Sequence, residues 1–191
     1  MQTTAQPAFS SERMAFRPFE PADAPRIVYL AGDWEVARMC ARVPHPYPRL
    51  AAEGWISIQT AARAKGEEFP FAVTLPIDGL IGSCGVVRSK EHSDVFEIGY
   101  WFGRPYWGKG YATEAGRALM DWARRELGAR TFTAGHFADN PASGAVLRKL
   151  GFIYTHQIPF FGLARGGVSP SDRYIWPNGE ETGMEQAHAS H

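Results

Sequence analysis

Two glycines at positions i and i+2, Gly108 and Gly110, sit where a strand-like apolar run ends and an amphipathic helical pattern begins. Glycine lets a backbone approach a ligand closely and takes up conformations closed to other residues. The first turn of the helix that follows leaves its amide N–H groups unpaired, and the helix dipole adds positive potential there. Lys109, between the glycines, adds a cation. These residue types can hold a phosphate-bearing ligand, a pyrophosphate especially; the same spacing also fits a plain tight turn. Neither the G-x-x-x-x-G-K-[ST] loop nor the dinucleotide fingerprint, with its acidic residue about 20 positions on, is present.

Other chemically able side chains are scattered. Glu97 stands in the run Asp94–Phe102, where strand alternation puts it on one face with Val95, Gly99 and Trp101, and Phe96, Ile98, Tyr100 and Phe102 on the other. A carboxylate there implies a wet cleft or a cationic partner. His45 lies in the stiff loop Pro44 to Pro48, where it either touches a substrate or is a surface residue. Tyr47, Trp34, Trp55 and Phe160-Phe161 are candidates for lining an acceptor pocket or for packing in the core. His136 reads as a packed structural histidine, and Glu114 as a carboxylate capping its own helix. No His/Cys/carboxylate group has metal-ligand spacing, so no metal is expected.

These residues need elements to position them. Arg13–Arg17 reads as a strand, Glu20 to about Ala31 as a helix, Trp34–Arg38 as a short helix and Leu50–Ala64 as a longer one. Strands follow at Phe69–Leu75, Leu80–Arg88 and Asp94–Phe102, the first two joined by the turn signal Asp78-Gly79. Gly108–Leu127 switches to helical period. Thr131–Phe137 is a strand, Asn140-Pro141 opens a helix, and Phe152–Ile158 and Arg173–Trp176 are the last two strands. Seven strands with interleaved helices imply an α/β fold, a mixed sheet with helices on both faces.

The chain has 191 residues, 45% of them hydrophobic and 21% charged, enough for one globular domain with a real core. Lys plus Arg equals Asp plus Glu, 20 each, so composition offers no support for nucleic acid as a partner. Cys40 and Cys84 have neither zinc nor redox spacing, and Cys84, in the apolar run Leu80–Val87, reads as a packed thiol in a reducing setting. The first residues lack a basic head and a long apolar run, so neither a signal peptide nor a membrane span is expected, and a cytoplasmic location follows. Residues 1–12 and 177–191 read as flexible tails around a domain at 13–176.

Taken together, Tyr106-Trp107-Gly108-Lys109-Gly110-Tyr111-Ala112-Thr113-Glu114-Ala115 closely resembles the acetyl-CoA-binding motif of the GNAT superfamily, most of all its ribosomal-protein N-terminal (RimJ/RimL-like) acetyltransferase branch. Asn140-Pro141-Ala142-Ser143, followed by Leu147, Leu150, Gly151 and Phe152, resembles a second motif at the expected distance. Arg17-Pro18-Phe19 with Asp23-Ala24, Ile81-Gly82-Ser83 and Glu97-Ile98-Gly99-Tyr100-Trp101 resemble further parts of that branch. One departure stands out: where the superfamily pattern has Gln or Arg three residues before the first motif glycine, this chain has Pro105.

The resemblance implies a GNAT fold: a mostly antiparallel seven-stranded sheet, splayed between its fourth strand (Asp94–Phe102) and its fifth (Thr131–Phe137). It implies acetyl-CoA as co-substrate and transfer of its acetyl group to a primary amine, a protein N-terminus or a small molecule. The amides of Gly108, Lys109, Gly110, Tyr111, Ala112 and Thr113 would hold the pyrophosphate, Trp107 would line the pantetheine path, and Asn140 would hydrogen-bond the pantetheine. Ser143 would bond the leaving sulfur, Glu97 would act as base through water, and a backbone N–H near Tyr100 or Trp101 would stabilise the oxyanion. His45, Tyr47, Tyr100 and Trp101 are the expected acceptor contacts. The alternative is a CoA-binding module without catalysis. Phe160-Phe161 and the residues up to Val168 are a candidate homodimer face.

Overall fold

The computed structural model describes residues 8–177. Eight strands form one sheet: β1 (Phe9–Ser10), β2 (Ala15–Arg17), β3 (Glu68–Leu75), β4 (Gly79–Arg88), β5 (Val95–Phe102), β6 (Thr131–Phe137), β7 (Ile153–Gly162) and β8 (Gly167–Trp176). The spatial order is β1-β2-β3-β4-β5-β6-β8-β7, antiparallel except for the parallel pair β5–β6. The helices are α1 (Ala24–Ala31), α2 (Trp34–Ala37), α3 (Arg49–Ala64), α4 (Tyr111–Leu127) and α5 (Pro141–Lys149).

The helices cover both faces, as the two buried clusters show. On one face Ala115, Leu119 and Ala123 of α4 and Leu147 of α5 pack on Phe71, Val86, Phe96, Ile98 and Phe132 of the sheet. On the other, Ile27 and Ala31 of α1 and Ala52 and Ile56 of α3 pack on Ala72 and Leu80, with Tyr47, Trp55 and Trp101 beside them. The period of α4 follows from Ala115, Leu119, Trp122 and Ala123 recurring on one stripe.

The ladder between β5 and β6 pairs Val95 with Thr131 through Ile98 with Ala134 and goes no further, although β5 runs on to Phe102 and β6 to Phe137. Beyond Ile98 the two strands are parted. The splay expected between these strands is therefore present.

Three expectations need correction. The sheet has eight strands, not seven. The extra one comes from the stretch expected to be a tail: Phe9 and Ser10 pair with Phe16 and Ala15. Phe9 stacks on Phe16 at 4.4 Å and lies 5.6 Å from the Trp122 ring, so a single half-buried aromatic draws this segment onto the sheet. The last two strands are also longer than expected, ten residues each, and form a hairpin around a turn at 163–166. In it β7 is an edge strand, with Phe161 and Val168 exposed. Residues 1–7 and 178–191, the remainder of the expected tails, lie outside the described residues.

The third correction concerns Glu114. Its carboxylate does not bend back onto its own helix. It accepts from Ser11 Oγ at 2.7 Å, from the Arg13 amide at 2.9 Å and from Arg13 Nε at 2.7 Å. Burial alone would push Glu114 up, but these hydrogen bonds and the Arg13 charge outweigh it and hold the carboxyl below its ordinary value. A depressed folded-state pKa contributes stability that is present above the unfolded value and is lost as pH falls through the folded one. Glu114→Ala should therefore cost about 2 kcal/mol at neutral pH, read by urea denaturation. Its difference from wild type should shrink as the pH is taken below 4.5, the ordinary value; a pH-independent difference would refute the role of the charge.

Candidate active site

The parting of β5 from β6 opens a cleft of 910 Å³ that runs from one face of the sheet to the other. Its two halves are made differently.

The first half lies on the α4–α5 face. Gly108 and Gly110 have φ of 74° and 80°, the left-handed region that favours glycine. Gly110 is the N-cap of α4 and offers no side chain to cap it, so the first-turn amides are left to a ligand or to water. The loop is held from outside: Arg13 Nη1 donates to Lys109 O at 3.0 Å and the Arg13 guanidinium lies 4.5 Å from the Tyr111 ring centre. Arg26 donates to Tyr106 Oη at 2.9 Å. Trp107, half-exposed at the mouth, donates from Nε1 to Phe102 O at 2.7 Å. Gly108, Gly110, Tyr111, Ala112 and Thr113 line the cleft with Trp107. Lys109 is exposed, its ammonium 5.7 Å from the Tyr106 ring centre.

The backbone of β5 supplies the floor of the gap. Gly103 N donates to Ile81 O on the β4 side. Amides alternate along a strand, so those of Trp101 and Gly99 also face β4, while those of Phe102 and Tyr100 face the side that β6 has left. Phe102 O is taken by Trp107. Tyr100 N–H and C=O point into the open splay. Of the two amides expected near the oxyanion, Tyr100 has the required direction and Trp101 does not.

Asn140 caps α5, its Oδ1 accepting from Ser143 N at 3.2 Å. Its NH2 group is what it can still offer to the cleft. The Ser143 hydroxyl meets Tyr100 Oη at 2.9 Å, and Tyr100 Oη also donates to Ser143 O at 3.3 Å. Burial, against the lowering effect of the Ser143 bond and with a small push from Tyr174, drives the Tyr100 phenol up to about 12. Tyr100 therefore keeps its proton at neutral pH. Its side chain lines the cleft from the α4–α5 face, while Trp101, its neighbour among the expected acceptor contacts, lies on the other, because strand alternation sends the two to opposite sides. The Tyr100–Ser143 pair was invisible in sequence, being 43 residues apart.

The second half lies on the α1–α3 face. Trp101, Tyr47 and Trp55 line it with Val43 and Met39. Burial, with a smaller contribution from Cys40, raises the Tyr47 phenol, and burial pushes the Cys40 thiol up to about 12. Glu97 also lines the cleft, and its Oε1 accepts from Arg173 Nη2 at 2.9 Å. Thus the cationic partner that its pattern required is Arg173, on β8, which lies across Gly135 to reach it. His45 is elsewhere: it is not among the lining residues, its Nδ1 is 3.0 Å from Gly32 O, and its ring packs edge-on against Trp34. His136 lines the cleft, buried and bonded to its neighbour's carbonyl and to Tyr174 Oη at 3.3 Å, in keeping with a structural role. Among the described residues no group of three His, Cys, Asp or Glu could hold a metal ion, and no helix is long and apolar enough to cross a membrane.

Comparison with known proteins agrees with this geometry. The family model described as "Acetyltransferase (GNAT) domain" matches residues 13–153. Among curated proteins, the uncharacterized protein YkkB of Bacillus subtilis (strain 168) is 40% identical over 79 residues, 41% of this chain and 46% of YkkB; the match thus spans about half of that relative. The uncharacterized N-acetyltransferase p20 of Bacillus licheniformis is 29% identical over 157 residues, 82% of this chain and 88% of p20. Among solved structures, RimL, a ribosomal L7/L12 alpha-N-protein acetyltransferase in complex with coenzyme A, superposes with a TM-score of 0.75 at 18% identity, covering 89% of this chain and 97% of that one.

The left-handed glycines generate a direct test. Gly110→Ala places a Cβ at φ 80°, a strain of roughly 1–2 kcal/mol. Loosening of the amide cradle should weaken coenzyme A binding about tenfold, measured by calorimetry well below the melting transition, which the strain itself lowers by only a few degrees. Unchanged affinity would mean that these amides do not bind the ligand.

Proposed function

The chain belongs to the GNAT acetyltransferase family, and from that premise we propose that it transfers the acetyl group of acetyl-CoA directly to a primary amine, a protein N-terminus or a small amine, bound together with it in the cleft. The observation that carries this reading is the continuous opening through the splay. It joins an amide-rich loop on one face to an aromatic pocket on the other, past the free N–H of Tyr100.

In this reading the pyrophosphate sits on the amides of 108–113, with the Asn140 NH2 group and the backbone of Tyr100 along the pantetheine arm. The amine lone pair attacks the thioester carbon and the C=O electron pair moves to oxygen, which the Tyr100 N–H receives. The intermediate collapses, the C–S bond breaks, and its electron pair leaves on sulfur. Glu97 takes the amine proton through water at Oε2, the oxygen that Arg173 does not hold. Tyr100 Oη, still protonated because of its burial, donates to the sulfur and is reprotonated from solvent by way of Ser143. Ser143 thus becomes the partner of the sulfur's proton donor. The products are an N-acetyl amine and CoA thiol.

Tyr100→Phe should lower kcat by about 10²-fold, the usual scale of a lost general acid, and leave acetyl-CoA affinity intact. The assay is thiol release over time with an amine acceptor. An unchanged kcat would remove Tyr100 from the chemistry. Glu97→Gln should lower kcat by about 10²-fold, the scale of a lost general base, with acetyl-CoA affinity kept; a variant that melts earlier but keeps its kcat would leave Glu97 only its bond to Arg173.

A further inference from the structure

The acceptor half of the cleft has a bare floor. Strand pairing puts Pro70, Gly85 and Gly99 side by side across β3, β4 and β5. Neighbouring cross-strand residues share a face, and this row lies on the Trp101 side, between the row Ala72–Ser83–Trp101 and the row Glu68–Val87–Glu97. The two glycines differ. A Cβ on Gly85 would collide with Pro70 Cα at 2.7 Å, so packing requires that glycine. A Cβ on Gly99 would meet nothing within 4 Å, and its φ is not in the left-handed range. Neither backbone nor packing requires glycine at 99. The space above it is open, and it adjoins Tyr100, whose amide faces the splay.

The lining of this half is rich in flat rings: Trp101 stands in the next row of the sheet, and Tyr47 and Trp55 pack in the same cluster and line the same cleft. Its charges are already neutralised in pairs. Glu68 accepts from Arg42 at 3.0 Å, Glu97 from Arg173 at 2.9 Å, and Asp139 from Arg165 at 2.7 Å, while Glu35 is bonded by Arg38 at 2.9 Å. No carboxylate among these four lacks an arginine. An acceptor with several ammonium groups would find no surplus negative charge here, and one with a phosphate would find no surplus positive charge.

We infer that the acceptor is a small monoamine with a flat apolar body, an arylalkylamine by chemical class, lying over Gly99 with its nitrogen toward the thioester at Tyr100. This rests on the acetyl-transfer reading above and specifies its substrate.

The test is a panel of acceptors with acetyl-CoA: 2-phenylethylamine and tryptamine, spermidine and an aminoglycoside, and peptides beginning with Ser or Ala. Wild type and Gly99→Val would be assayed for thiol release, with acetyl-CoA binding followed by calorimetry. The arylalkylamines should have the highest kcat/KM. Gly99→Val should raise their KM at least tenfold while leaving the melting temperature and acetyl-CoA affinity unchanged, since the added side chain fills only the open space. A preference for polyamines or peptides would overturn the inference, and so would arylalkylamine turnover indifferent to Gly99→Val. Acetyl-CoA binding with no arylalkylamine turnover would overturn it too, while leaving the ligand intact. A protein that bound no acetyl-CoA would remove the transfer reading itself, and the inference with it.

Discussion

Backbone hydrogen bonds that two neighbouring strands give up must be satisfied by something else. Here β5 and β6 stop pairing after Ile98 and Ala134, and the groups so released are the material of the site. Phe102 O goes to the Trp107 indole, while Tyr100 is left with both its groups turned to the gap. The Glu97–Arg173 bond lies at the root of this parting, where paired strands become separate ones. A sheet that stayed closed would have no passage from the α4–α5 face to the α1–α3 face, and the glycine loop would be cut off from the aromatic pocket.

Arg13 links the edge of the sheet to the ligand loop. Its guanidinium binds Glu114, the carbonyl of Lys109 and the face of Tyr111. The short N-terminal hairpin is therefore a brace for the start of α4. The bidentate pair between Arg17 and Asp23, with both contacts at 2.7 Å, does the same for the entry to α1. The Asp23 hydrogen bonds, then burial acting against them, leave the Arg17 guanidinium more firmly protonated than usual.

Much of this was legible in the sequence because it is local. Gly108 and Gly110 announce their backbone shape, Asn140-Pro141 the start of α5, and the alternation of β5 the separation of Glu97 from Tyr100. What could not be read depends on distant partners. Glu114 looked like a residue serving its own helix because its true partners, Ser11 and Arg13, lie about a hundred positions away. Phe9 looked like part of a tail because one aromatic carries no periodicity, yet the Phe16 and Trp122 rings make it a strand residue. His45 drew attention by its type and its rigid loop; Gly32 and Trp34 use it instead. Tyr100 met Ser143 through the approach of α5 to β5, which no spacing along the chain reveals.

The two halves of the cleft are also assembled on different plans. The amide cradle is one continuous run of backbone. The acceptor half is borrowed from separated segments: the 38–43 stretch after α2, the α5 approach at Asp139, and the β7–β8 turn. These meet at one guanidinium, as Arg165 bonds Arg38 O at 2.6 Å and Asp139 at 2.7 Å, while Leu163 N bonds Ala41 O. The two halves are therefore mechanically separable: a change around Arg165 would rearrange the 38–43 stretch and the β7–β8 turn, while the backbone of 108–113, a separate stretch braced by Arg13, would keep its shape.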